Sequence, residues 1–407
     1  MITLFKLETF KLLKRKKTLV VLIAFMLLTA FIGYESYRDA KRNSPENQIA
    51  NMESYIQSRE KDKNIIPDEI KNDEKKIEKY KQQIDDNIEQ MKSSVAALKA
   101  SLSGSTDWKD NLKVQISQLE ERQKEIQNNS KSDSESEMEY VTSQLNTSKY
   151  LLEHNIKPQS ESEFNAFNFI KGLVGILGQV FLAIGVAVFA ADMVSGEASP
   201  PTMKLLLTQP VSRGKVLLSK FLSINAISIL FIVGTELLAF LIVGLIFGFG
   251  DASYPTMVGA QYKFDTTHML ENGTYPMVMI AGSSHIITAA SYVIRLLLLQ
   301  SLYIAACVAI VFLISALVKN SMISMGASVV SMIAASIIFL GFGAFKSIAR
   351  YVFVIFGEVG NLLTGRAAVT LNNPHVTLTS SVIVFVAWIV LSYVIAHIIF
   401  TKKDILI

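Results

Sequence analysis

Six long apolar runs divide the chain: Thr18–Tyr34, Phe167–Ala191, Phe221–Phe249, Ser291–Val318, Met322–Phe345 and Ser380–Phe400. Each is long enough to be a membrane span, because about 20 residues at 1.5 Å rise cross a hydrocarbon core of about 30 Å. None alternates with period two, and backbone groups in lipid need partners inside their own segment, so the runs predict helices rather than barrel strands. The fold class that follows is an all-α polytopic membrane protein with six transmembrane helices.

Between the first and second runs the period changes. Ile70, Ile77, Ile84, Met91 and Leu98 recur every seven residues, with Ile88 and Val95 in the neighbouring seam position. A turn signal at Ser101–Asp107 separates this stripe from a second, Leu112, Ile116, Leu119 and Ile126, and a polar stretch from Asn128 to Glu137 separates that from a third, Met138, Val141, Leu145 and Leu152. Spacings of three and four over several heptads predict an antiparallel helical hairpin or small coiled-coil bundle. Pro158 and a Ser/Glu-rich linker return the chain to the membrane. The chain therefore reads as an amphipathic leader and first span (1–34), a helical insert (35–165), and a five-helix body (166–407).

Charge sets the orientation. The formal net charge of +4 conceals a split: Glu35–Glu163 holds 20 basic and 26 acidic residues, a net of −6, and the remainder holds 19 and 9, a net of +10. With the N-terminus inside, the segments Met1–Lys17, Asp192–Lys220, Lys319–Ser321 and Thr401–Ile407 fall on one side and carry thirteen Lys/Arg, against four in Gly250–Ser284 and Lys346–Thr379. Positive residues favour the cytoplasmic side, and long domains cross largely regardless of charge. Both termini are thus expected in the cytoplasm, with the insert outside. Met1–Lys17 reads as a basic amphipathic helix on an anionic surface or as a charged leader. No small-x-small pair precedes Tyr34, which favours an uncleaved signal anchor.

Several features within this frame bear on function. Small residues on the second run (Gly172, Gly175, Gly178) and the fifth (Ala327, Ser331, Ala335) predict helix-packing faces. Glu236 and Arg295 are ionisable residues inside runs, where burial costs several kcal/mol. They are candidates for an interhelical pair or a substrate-pathway lining. Lys346–Thr379 has apolar pieces interrupted by Gly357, Gly360 and Gly365, each too short to cross, and reads as a re-entrant or interfacial segment. Cys307 is the single cysteine, so no intramolecular disulfide is possible. There is no GxxxxGK[ST] phosphate loop, HExxH, GxSxG or metal-type Cys/His spacing. The five histidines are scattered, with His268, His285 and His375 in outer loops. The chain carries no constellation for an enzyme, no cofactor, no metal site and nothing that points to a nucleic-acid partner.

Asp192–Lys220, with Pro200, Pro201 and Pro210, is a polar elbow between two spans. Its run Asp192-Met193-Val194-Ser195-Gly196-Glu197, followed by Thr202-Met203-Lys204-Leu205-Leu206-Leu207-Thr208-Gln209-Pro210-Val211-Ser212-Arg213 and Lys220, resembles the cytoplasmic loop of ABC-2 type permeases, the membrane subunits of ABC exporters. The basic leader, Ser315–Ser321 and Phe400–Ile405 match more loosely. Pro200-Pro201 departs from the family's usual Gly before Thr202. The resemblance implies a permease that dimerises with itself or with a second permease and docks on a separate ABC ATP-binding subunit. It implies that Glu197, Thr202, Leu205, Leu206, Pro210 and Arg213 form the coupling contact, with membrane lipid around the body. The competing reading is a membrane-anchored coiled-coil sensor or scaffold without transport activity.

Overall fold

The computed structural model describes residues 1–63, 66, 74–102, 108–128, 134–160, 163–197, 212–267, 269, 273–341 and 345–402. Ile70, the turn at 103–107, His268 and the coupling residues Thr202, Leu205, Leu206 and Pro210, with Pro200 and Pro201, lie outside the described residues.

Among the described residues, six helices are long and apolar enough to cross a membrane. The first is α2 (Lys16–Arg42), which continues two turns beyond Tyr34. The second is built from α7 (Ala166–Ile176), a π-turn (Leu177–Phe181) and α8 (Leu182–Ala190). The others are α9 (Arg213–Phe247), α10 (Ala289–Leu317), α11 (Ser321–Gly341) and α15 (Leu378–Lys402). Their starts carry local signals. Asn165 Oδ1 accepts from Asn168 N at 2.9 Å, and Thr288 Oγ1 accepts from Ser291 N at 3.2 Å. Each satisfies one of the donors a helix N-terminus leaves over. The second span and α10 are the most buried, and α2, α11 and α15 surround them with outward apolar faces. Tyr303, Cys307 and Phe312 of α10 are fully enclosed. Such outward faces suit lipid, where apolar surface needs no burial.

The leader is α1 (Ile2–Lys14), separated from α2 by an extended Arg15. Its buried residues are Glu8 and Leu12, which face α9, so one side of this helix is packed on the body.

Between α2 and α7 stand two antiparallel hairpins. The first pairs α3 (Pro45–Asp62) with α4 (Glu74–Leu102). Ile49 and Ile56 meet Ile84, Ile88 and Val95, and Lys63–Asp85, Glu60–Lys92 and Glu53–Lys99 bridge its flanks. The α3 half carries its own stripe, Ile49, Met52 and Ile56, which the heptad from Ile70 onward does not include. The second pairs α5 (Trp108–Asn128) with α6 (Ser134–Glu153) through Leu112 and Leu151, Arg122–Glu137 and Glu120–Lys149.

Residues 250–288 are not purely irregular. β1 (Pro255–Val258) pairs antiparallel with β4 (His285–Thr288), and β2 (Tyr262–Phe264) with β3 (Met277–Met279). Ladders of three and four residues carry too little alternation to be seen in sequence. Glu139 of α6 is buried here and accepts from Gly282 N (3.3 Å) and Ser284 Oγ (3.2 Å), tying the second hairpin to the loop.

The segment after α11 folds into α12 (Lys346–Ala349), a 3-10 turn (Phe353–Phe356), α13 (Val359–Thr364) and α14 (Arg366–Thr370). Phe353, Phe356, Val359, Leu362 and Leu363 are buried against the body. Tyr303 donates to Val354 O at 3.3 Å, and Trp388 Nε1 to Tyr351 O at 2.8 Å. Where this segment meets the second span, Gly178 of the π-turn lies against Gly357, and a Cβ on either would land on the other's carbonyl oxygen. The remaining small-residue expectations shift. A Cβ at Gly172 or Gly175 would meet nothing within 4 Å. On α11 the buried face is Ser324, Ser328 and Met332, one position off the expected Ala327–Ser331–Ala335 stripe, and Ser324 Oγ on that face donates to Ala191 O at 2.6 Å.

Candidate functional site

Charged and polar side chains collect where α1, the end of the second span, the start of α9 and the α10–α11 turn converge. Lys220, in the second turn of α9, is 1% exposed. Its Nζ donates to Glu8 at 2.8 Å and to Glu197 at 2.6 Å. Glu8, the only acidic residue of the first 34, also receives Lys11 at 3.2 Å. A buried ammonium is tolerated only when paired and hydrogen-bonded, and here two carboxylates provide that. Burial acts to raise the Glu8 carboxyl, but Lys220 and then Lys11 outweigh it, and the net direction is below the usual 4.5. Glu8 is therefore held ionised.

The chain leaving the second span is pinned from two sides. Asp192 pairs with Lys17 at 3.0 Å and Arg15 at 3.7 Å, at the α1–α2 corner. The amides of Val194 and Ser195 donate to Ser315 Oγ near the end of α10, at 3.1 and 3.0 Å. Ser195–Glu197 closes as one 3-10 turn and delivers Glu197 to Lys220. Thr9 Oγ1 donates to Ser223 Oγ at 3.2 Å, which in turn donates to Phe5 O at 3.2 Å, so α1 is fastened to α9 by a second polar contact. Asp192–Glu197 is thus joined to α1, α2, α9 and α10 together.

Of the expected coupling residues, Glu197 sits within this junction and Arg213 opens α9, half-buried. Asp192 and Lys220 belong to the run that carries the family resemblance, and Ser315 to its looser match, but none was assigned a contact; Glu8 was not singled out at all. For Glu8 the available sign was its being the lone acid in a basic leader.

Glu236 is fully buried in α9 and accepts from Gln300 Nε2 of α10 at 2.7 Å. Arg295 is exposed, and no ion pair joins it to Glu236. Five residues separate Arg295 from Gln300, a rotation of roughly 140° at 3.6 residues per turn, so Arg295 points away from the α9 contact. Among the described residues no group of three or more His, Cys, Asp or Glu could hold a metal ion.

Six helices long and apolar enough to cross a membrane, among the described residues, define a polytopic membrane protein. The family model for ABC-2 family transporter proteins matches residues 2–405, and the chain belongs to that family. It is accordingly the membrane component of an ABC transporter, of a kind that normally works with an ABC ATP-binding subunit. The protein described as "Uncharacterized protein YhcI" from Bacillus subtilis (strain 168) is 23% identical over 302 residues, which cover 73% of this chain and 84% of that protein.

Proposed function

We propose that the chain is the permease subunit of an ATP-driven exporter in the cytoplasmic membrane. Both termini and the Asp192–Lys220 loop are cytoplasmic, and the hairpins α3–α6 lie outside. ATP is hydrolysed on a separate subunit whose cleft receives Thr202, Leu205, Leu206 and Pro210, with Arg213 at the rim and Glu197 transmitting the movement inward. The permease works as a homodimer or beside a second permease, in contact with lipid. The observation that carries the reading is the Glu8–Lys220–Glu197 triad. It ties one side of the loop to the leader and the third span, so nucleotide-driven motion of a docked subunit would tilt spans, as alternating access requires. The charge asymmetry between the two faces of the body supports the orientation.

The test is purification of the full chain together with a co-expressed ATP-binding subunit. Leu205→Asp with Leu206→Asp should abolish that association while the chain remains folded, because charge enters an apolar contact. Glu197→Ala should leave docking in place but uncouple ATP hydrolysis from transport. Failure of any ATP-binding subunit to associate with the wild-type chain would refute the assignment.

A further inference from the structure

Among the described residues, Glu236 is the carboxyl of the spans that lies farthest from a helix end. It stands eleven residues before the end of α9 at Phe247, and Gln300 stands eleven residues after the start of α10 at Ala289. Both are therefore about 16 Å from the same face, near the middle of a hydrocarbon core about 30 Å thick. Both side chains are enclosed, at 0% and 1% exposure.

Their hydrogen bonding is incomplete in a specific way. Gln300 Nε2 donates to Glu236 Oε1, while Glu236 Oε2 and Gln300 Oε1 are both buried with no partner. Both are acceptors, and two acceptors on a pair of groups already joined by one bond lack a single donor between them. A proton on Glu236 Oε2 supplies it. The acid hydroxyl then donates to Gln300 Oε1 while the amide donates to Glu236 Oε1, closing an acid–amide ring. Rotating the Gln300 amide by 180° does not remove the need, because it sets its carbonyl oxygen against Oε1, which again calls for a proton on the acid. Leaving Glu236 ionised would strand a charge in the middle of the membrane and leave two buried acceptors unsatisfied.

We propose that Glu236 and Gln300 form a proton-binding site that holds α9 to α10, occupied by a proton in this conformation. The ligand is a proton, and it leaves only when the two helices part and water reaches the carboxylate. The site is independent of whether the chain exports.

Infrared spectroscopy of the full chain in lipid nanodiscs at neutral pH tests this, because ordinary Asp and Glu side chains are then ionised and do not absorb in the carboxylic-acid region. The expected result is an acid C=O band equivalent to one carboxyl per chain in the wild type, lost in Glu236→Gln. That variant preserves shape and can form an amide–amide ring. Gln300→Leu leaves the acid in place and should shift the band to the higher frequency of an acid without its ring partner. The second variant reads the same band if the first does not fold. A wild-type chain without the band, a band that survives Glu236→Gln, or a band unmoved by Gln300→Leu overturns the proposal. So does a conversion from acid to carboxylate absorption on adding sodium or potassium, which would assign the site to a metal cation.

Discussion

Replacing Lys220 by Met isolates the central contact of the junction, since Met fills much of the same volume without the charge. The lysine side chain is 2% exposed, and its partners Glu8 and Glu197 are 4% and 14% exposed. Removing one member of a buried ion pair costs about 3–5 kcal/mol, most of it the unpaired charge left behind. Glu197 reaches some solvent, and Glu8 keeps Lys11, whose own side chain is 46% exposed. A pair that exposed is worth about 0–1 kcal/mol. The expected loss is therefore near the lower bound, about 3 kcal/mol, or roughly two orders of magnitude in the unfolding constant. Reversible chemical unfolding in detergent, followed by tryptophan fluorescence, reads it. Adding Glu8→Gln to Lys220→Met should recover part of the loss, because it deletes the stranded carboxylate. Acid gives an independent check. The folded Glu8 carboxyl lies below the usual 4.5, so its contribution is intact above that value and is lost as pH falls through the folded one. Glu8→Gln should flatten that acid limb. A Lys220→Met chain within about 0.5 kcal/mol of wild type, the range of an ordinary surface substitution, would refute the buried-junction reasoning.

Two further outcomes follow from close contacts. Gly357→Ala drives a Cβ into the Gly178 carbonyl and should cost about 1–3 kcal/mol as overpacking, with faster proteolysis within 345–377. Gly172→Ala, with nothing within 4 Å, should be neutral, and equal effects in the two would sink the idea. Glu139→Ala removes the acceptor for Gly282 N and Ser284 Oγ and should raise amide hydrogen exchange through α5, α6 and residues 280–288, at a cost of about 1–3 kcal/mol. Unchanged exchange would mean that the second hairpin is held by its apolar contacts alone.

Hydropathy alone located all six spans, because a segment in lipid must be apolar and must satisfy its backbone within itself, and both conditions are local. The heptad stripe located α4 because a seven-residue apolar period is likewise read from neighbouring residues alone, while α3 was passed over because its three-residue stripe is short. β1–β4 escaped notice because so few residues in each ladder cannot show a period. The loop's residue pattern was legible enough to name a family. Its anchoring was not: Lys220 and Glu8 are 212 residues apart, and nothing near either marks the other as its partner.

The intramembrane pair shows the same division. Sequence marked Glu236 as costly and offered Arg295, the one charged residue in the facing span, as its partner. Rotation of α10 turned Arg295 outward and Gln300 inward, and that rotation is set by packing of Tyr303, Cys307 and Phe312 around the whole helix. Which segments can enter the membrane, and where charge is expensive, was readable from residue order, since transfer from water depends on composition over a local window. Which polar groups meet came from the packed fold. That depends on helix rotation and on contacts between residues far apart in the chain, and a hydrogen bond or ion pair forms only when both are fixed to within a fraction of an ångström.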